Sequence, residues 1–253
     1  MSRLLKALPL ALAIVAIVAL GLFAASCNSS NHALVRIINA VANEQSTLDV
    51  YINGTNGTKI PSLGFGVVYP TQQSNQSAQY ASLPSGNVTI TAYVNGETTN
   101  PVNNGNTALG ASTQYTVILQ GLASANNAPA VLTDTNAALA TNTVEFRVIN
   151  ASPSSPGLGV DVYIYETGGA VPGTPQIAGL TLGQGTYATP LSYFAGGFNV
   201  FVNEHGAGNN GIPYFNYQYA PANGSITTFV ILDTNDPWTA QVSPSPIVLT
   251  DLQ

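Results

Sequence analysis

The residues of this chain with chemistry to offer are few: one cysteine, two histidines and eleven carboxylates among 253 residues. Cys27 is the only thiol, so no disulfide can form within the chain. A zinc-type site needs three or four converging ligands, which one cysteine and the distant His32 and His205 do not supply. His205 lies in Glu204-His205-Gly206, in a Gly- and Asn-rich loop, and no Gly-x-Ser-x-Gly elbow provides a nucleophile for it. Composition leaves room for the paired carboxylates of a glycosidase, but spacing selects no pair. The oxygen-rich stretches Asn100–Asn106 and Asp233-Thr234-Asn235-Asp236 lack an EF-hand pattern, and Asn and Asp of this kind mostly make turns. The expectation is a chain with no enzymatic activity, no cofactor and no metal.

Two charged sets and one aromatic set remain. After Cys27 the cations are Arg36, Lys59 and Arg147 against eleven acids, a net charge of −8. A chain so poor in Lys and Arg is not built for nucleic acid, nor for docking on anionic lipid by charge. Arg36 and Arg147 hold matching places in the sequence, as do Asp49 and Asp161. If the strands that carry them pair antiparallel, each arginine faces its aspartate as a structural ion pair, worth ~0–1 kcal/mol if exposed. A ligand-binding carboxylate in each half is the sharper alternative. Phe215, Tyr217 and Tyr219 alternate onto one face, and Trp238 follows. They form either a sugar-stacking platform or a core or interface face, and aromatic burial favours the second.

The N-terminus places the rest. Arg3 and Lys6 precede an apolar run from Ala7 to Ala25 that ends in Ala24-Ala25-Ser26-Cys27. This is the layout of an export signal, residues 1–26, set apart from the fold. No basic stop-transfer cluster follows, because Asn28-Ser29-Ser30-Asn31 is uncharged. The stretch Leu22–Cys27 resembles the lipobox of bacterial lipoproteins, with Ala24 where Leu is usual. The resemblance implies cleavage before Cys27, a thioether-linked diacylglycerol on its sulfur and acylation of the new N-terminus. Two or more chains, at ~0.8 kcal/mol per buried methylene, give stable anchoring where one does not. The expected place is the cell membrane or the outer membrane, facing periplasm or exterior. In a cell with an outer membrane, Asn28, where retention in the inner membrane is associated with aspartate, favours the outer one.

Beyond a tether at 27–33 the sequence repeats itself. Val35-Arg36-Ile37-Ile38-Asn39-Ala40 returns as Phe146-Arg147-Val148-Ile149-Asn150-Ala151, and Leu48-Asp49-Val50-Tyr51-Ile52 as Val160-Asp161-Val162-Tyr163-Ile164. Tyr115–Leu119 matches Thr228–Leu232, and Val131-Leu132-Thr133-Asp134 matches Val248-Leu249-Thr250-Asp251. A period above 100 residues means two whole domains, at 34–134 and 143–253, joined by a linker at 135–142. Within each the period is two: Leu48, Val50 and Ile52 oppose Asp49 and Tyr51, and Phe198, Val200 and Val202 oppose Asn199, Phe201 and Asn203. Short strands broken by Gly, Pro and Asn predict an all-β fold of two tandem antiparallel Ig-like β-sandwiches.

The phrase Arg147-Val148-Ile149-Asn150-Ala151-Ser152-Pro153, with Val160–Ile164, Leu182-Gly183-Gln184-Gly185-Thr186-Tyr187 and Gly197–Val202, resembles the domain of unknown function numbered 4397. The first half departs at Val41-Ala42, where the family shows Ser-Pro, and at Phe65 and Val67. The resemblance implies an exported β-sandwich of bacterial envelopes or secreted proteins and brings no catalytic residues. The expected function is non-enzymatic: a lipid-anchored envelope protein in a structural, adhesive or protein-interaction role. Its partners are a membrane, through Cys27, and an envelope protein or glycan. A carbohydrate-binding module using the second half's aromatics is the alternative.

Overall fold

The computed structural model describes residues 31–44, 46–71, 78–155, 157–209, 213–233 and 246–252. Cys27, the signal segment and Trp238 lie outside them. The first nine strands are β1 (His32–Ala42), β2 (Leu48–Ile52), β3 (Thr58–Leu63), β4 (Val68–Tyr69), β5 (Ala81–Pro84), β6 (Gly86–Val94), β7 (Asn103–Leu109), β8 (Gln114–Leu122) and β9 (Ala130–Thr133). The rest are β10 (Thr143–Asn150), β11 (Val160–Glu166), β12 (Ile177–Leu180), β13 (Gly185–Tyr187), β14 (Leu191–Ser192), β15 (Phe198–Glu204), β16 (Phe215–Tyr219), β17 (Ile226–Ile231) and β18 (Ile247–Leu252). The all-β expectation holds.

Four sheets result. In the first half, β4-β1-β8-β9, with β5 also on β1, faces β3-β2-β6-β7; in the second, β13-β10-β17-β18, with β14 on β10, faces β12-β11-β15-β16. The strand orders of the two halves correspond throughout. Between the facing sheets lie two cores, one built on Val35, Ile37, Val50, Ile90 and Val117, the other on Phe146, Val148, Val162, Val200 and Phe229. The period-two reading of β2, β6 and β15 places its apolar residues in these cores. His32 and Ala33 belong to β1 rather than to a tether, so only Asn28–Asn31 separate Cys27 from the first strand.

Two features depart from a purely antiparallel sandwich with a β1–β2 ladder. The pairs β1–β8 and β10–β17 are parallel, Arg36 lying beside Thr116 and Arg147 beside Thr228. Parallel pairs are found where both faces are covered, and here both are: Ile38, Ala40, Ile118, Ile149, Ala151, Val230, Leu232 and Leu249 form a third core between the two sandwiches. The register also shifts one equivalence. Thr116 corresponds to Thr228, not to Phe229 as the alignment of Tyr115–Leu119 with Thr228–Leu232 implies. A slip of one residue exchanges the faces of a strand, so the correction decides which side chains meet the arginines.

The asparagine in each repeated phrase ties the two sheets of its sandwich together. Asn39 Nδ2 donates to the Leu63 carbonyl at 2.9 Å, and its Oδ1 accepts from Val41 N at 3.1 Å. Asn150 does the same with the Leu180 carbonyl and Ser152 N. Both asparagines are fully buried. Removing the amide strands a buried carbonyl and a buried N–H, each costing about 1–3 kcal/mol. Asn39→Ala and Asn150→Ala are therefore expected to lose on the order of 2–4 kcal/mol each in urea unfolding, and a loss near zero would refute the cross-sheet role.

Candidate functional site

The densest cluster of polar chemistry lies between the sandwiches. Alternation along β1 turns Val35 and Ile37 into the first core and Arg36, Ile38 and Ala40 toward the second sandwich; β10 mirrors this with Arg147, Ile149 and Ala151. Both arginines are 1 % exposed. A guanidinium that deep must be paired. Arg36 reaches Asp251 at the end of β18 (Nη1 to Oδ1, 2.5 Å) and, through Nε at 3.5 Å, Asp134 just past β9, with which Arg147 pairs through Nη1. Each sandwich thus gives its arginine to the other's closing aspartate.

Hydroxyls complete the exchange. Thr116 Oγ1 accepts from Arg36 Nε at 2.7 Å and bonds both Asp134 oxygens, and Thr228 Oγ1 donates to Asp251 Oδ2 at 2.5 Å. The Tyr80 hydroxyl donates to Asp134 Oδ2 at 2.8 Å, with its ring 5.7 Å from the Arg36 guanidinium. The Tyr187 ring lies 5.0 Å from that of Arg147. Burial by itself would lower the Arg36 pKa; Asp251 and Asp134 outweigh it and raise it above its ordinary value. Burial likewise raises the Tyr80 phenol.

Glycines bring the sandwiches close. A Cβ on Gly183 would sit 2.7 Å from Gln120 Nε2, and one on Gly185 would sit 2.7 Å from Leu132 Cδ1. The counterpart of Gly183 is Gly66, since both bond the carbonyl of the buried asparagine; it lies against Leu232. The two repeated phrases, Arg-x-Ile-Asn-Ala and Val-Leu-Thr-Asp, and the glycines Gly66 and Gly183 therefore converge on one interface.

The expected pairs Arg36–Asp49 and Arg147–Asp161 do not form. The chain crosses between facing sheets after β1 and after β10, so a whole core separates each arginine from its proposed partner. Asp49 instead binds Lys59 Nζ at 2.8 Å and accepts from Ser62 N and Gly96 N. Asp161 meets His205 Nδ1 at 2.7 Å and accepts from Gly179 N and Gly206 N. Burial raises both carboxyls, but these partners more than reverse it, and both pKa values lie below the ordinary range. Each aspartate clamps a neighbouring strand and a hairpin turn on the outer face of its sandwich.

Two of the four aromatic candidates meet the second core. Tyr217 and Tyr219 of β16 make edge contacts with Phe229 of the second core, ring centroids 6.0 and 5.6 Å apart, and Tyr217 stays 37 % exposed at the core rim. Tyr219 packs on the second core and Tyr217 keeps an open face at its rim; the Phe215 side chain and Trp238 lie outside the described residues. Asp233 accepts from Ser152 and Ser154, which accounts for the Ser-Pro phrase, and Gly121 stands in its place in the first half. Asn104 and Asn106 accept from Thr91 and Thr89 along β7. Among the described residues, no group of three or more His, Cys, Asp or Glu side chains converges as a metal site.

Asp134, Asp251, Thr116, Thr228, Tyr80 and Tyr187 were not among the sequence candidates. The available signal was the shared ending of the two halves: a repeated aspartate and a repeated arginine, both in apolar phrases, need each other. The fold and this interface define a double β-sandwich whose buried charges join its halves. The chain belongs to the family described as "Domain of unknown function (DUF4397)", whose model matches residues 33–163.

No curated protein matches the chain. Among solved structures it is similar to that titled "Alpha-glucan binding by a streptococcal virulence factor", with TM-score 0.27, 11% identity, and 87% of this chain and 97% of that one covered. It is also similar to a family 26 carbohydrate-binding module of Eubacterium rectale in complex with maltoheptaose (0.25, 14%, 79% and 92%) and to the fimbrial anchor protein Mfa2 of Porphyromonas gingivalis (0.25, 11%, 87% and 95%). At these TM-scores the shared geometry is too thin to carry a function across.

Breaking a buried pair by removing one partner costs about 3–5 kcal/mol, whereas replacing both with apolar residues is close to neutral. Arg36→Met and Asp251→Leu should each destabilise strongly, and the double variant less than either. Urea unfolding of the three variants measures this; additive losses would contradict a paired role.

Proposed function

We propose that this protein is a non-enzymatic, lipid-anchored envelope protein made of two copies of one domain, acting in a structural, adhesive or protein-interaction role. The repeated phrases and the matching strand orders support the duplication. The observation that carries the functional reading is the polarity of the molecule. β1 starts at His32, so Cys27, five residues earlier, stands within about 18 Å of the strand's first Cα even at full extension. From there β1 runs roughly 33 Å to Ala42 at the other end.

At that far end lie five of the six large hydrophobic residues that are exposed among the described residues: Phe65, Val67, Leu122, Leu158 and Leu182, 37–71 % exposed. Gly66, between Phe65 and Val67, bonds Asn39 near the end of β1, and Leu122 pairs with Ala42. Gly183, next to Leu182, bonds Asn150 at the end of β10, and Leu158 lies in the loop that leaves β10. Exposed apolar residues gathered at one end of a molecule mark an interaction site. An anchor at one end and an apolar tip at the other is the arrangement of a protein that holds a contact surface away from a membrane.

The anchor is tested by expressing the full chain and its Cys27→Ser variant in a bacterium with labelled fatty acid. The unsubstituted chain should take up label and fractionate with membranes, and the variant should do neither. Equal labelling and fractionation of the two would rule out lipidation at Cys27.

A further inference from the structure

We propose that the apolar tip binds the tip of a second copy of this chain, so that molecules on two facing surfaces join head to head. The orientation rests on the anchoring proposed above; the contact itself does not. The tip straddles both sandwiches. Gly66 packs toward Leu232 of the second sandwich and Gly183 toward Gln120 of the first, so the strand ends of the two halves stand level. Val68, beside the tip residue Val67, joins the core between the sandwiches, which makes the tip the outward continuation of an established interface.

Two observations favour a second copy over a lipid surface. Phe65 and Leu182 precede the corresponding glycines Gly66 and Gly183, so the tip carries one matched pair of apolar groups about the axis that relates the sandwiches. A patch arranged in that way can meet itself through a twofold contact. Interfacial membrane binding draws on Lys and Arg beside the apolar residues. Here the three cations after Cys27 are committed, Arg36 and Arg147 in the interface and Lys59 to Asp49. Five side chains fall short of the ~800 Å² per partner of a stable complex. The contact is therefore weak for one pair and effective when many copies share a surface.

The test loads the full chain onto neutral phosphatidylcholine vesicles and follows flotation and clustering. Loaded vesicles should cluster with loaded vesicles and not with bare ones. Leu158→Ser, an exposed position, and Leu158→Ser with Leu182→Ser should cut clustering by at least about tenfold with unchanged thermal unfolding. Clustering with bare vesicles would give the tip to lipid, and undiminished clustering by the double variant would remove it from the contact; either overturns the proposal. Failure to float speaks against the anchor alone. Sedimentation of the full chain in mild detergent then decides the tip: concentration-dependent self-association lost in the double variant supports it, and a monomer at all concentrations overturns it.

Discussion

A guanidinium buried in a protein interior must find a carboxylate or it does not stay there. In this chain that requirement is met twice, and each time across the boundary between sandwiches: Arg36 with Asp251, Arg147 with Asp134. The exchange places the ends of β9 and β18 against the middles of β10 and β1. It also makes both faces of the parallel pairs interior, so Ile38, Ile118, Ile149 and Val230 can be apolar on the side an isolated sandwich would expose. The small residues follow from the same constraint, since a Cβ on Gly183 or Gly185 would press on Gln120 or Leu132 across the interface.

Much of the architecture was legible. Alternation in β2, β6 and β15 is plain because one face of each is apolar and the other polar. The repeat is plain in the sequence because its phrases keep their order. The pairing of the arginines was not, for a physical reason. β1 is buried on both faces, so its pattern does not say which face meets its own core, and a repeat gives equivalence without contact. Arg36 and Asp251 are 215 residues apart. The sequence order that set Arg36 near Asp49 suggested a ladder, but the chain changes sheets between them. The aromatic run of β16 was legible as one face, and the choice between core and platform depended on its register with β15, which sets Tyr217 beside the core residue Val200.

The same allocation of charge bears on function. Buried charges that serve an interface are not free to act on a substrate, and Asp49 and Asp161 fasten turns. Five of the six exposed large hydrophobic residues among the described ones lie instead at the end of β1 remote from His32. That distribution, more than any single residue, supports a role in contact. The family model ends at Tyr163, inside β11. It covers Arg36, Asp134 and Arg147, three of the four charges of the exchange, while Asp251 and the core residues Val230, Leu232 and Leu249 lie beyond it.

The central claim is that the two sandwiches hold together by their own interface and not merely by the segment that joins them. A protease site introduced at Ala137-Ala138, both exposed between β9 and β10, allows the segment to be cut in the folded full chain. Size-exclusion chromatography with light scattering under native conditions should then show the two pieces migrating together at the mass of the uncut chain. Separation into two species at micromolar concentration would contradict the account.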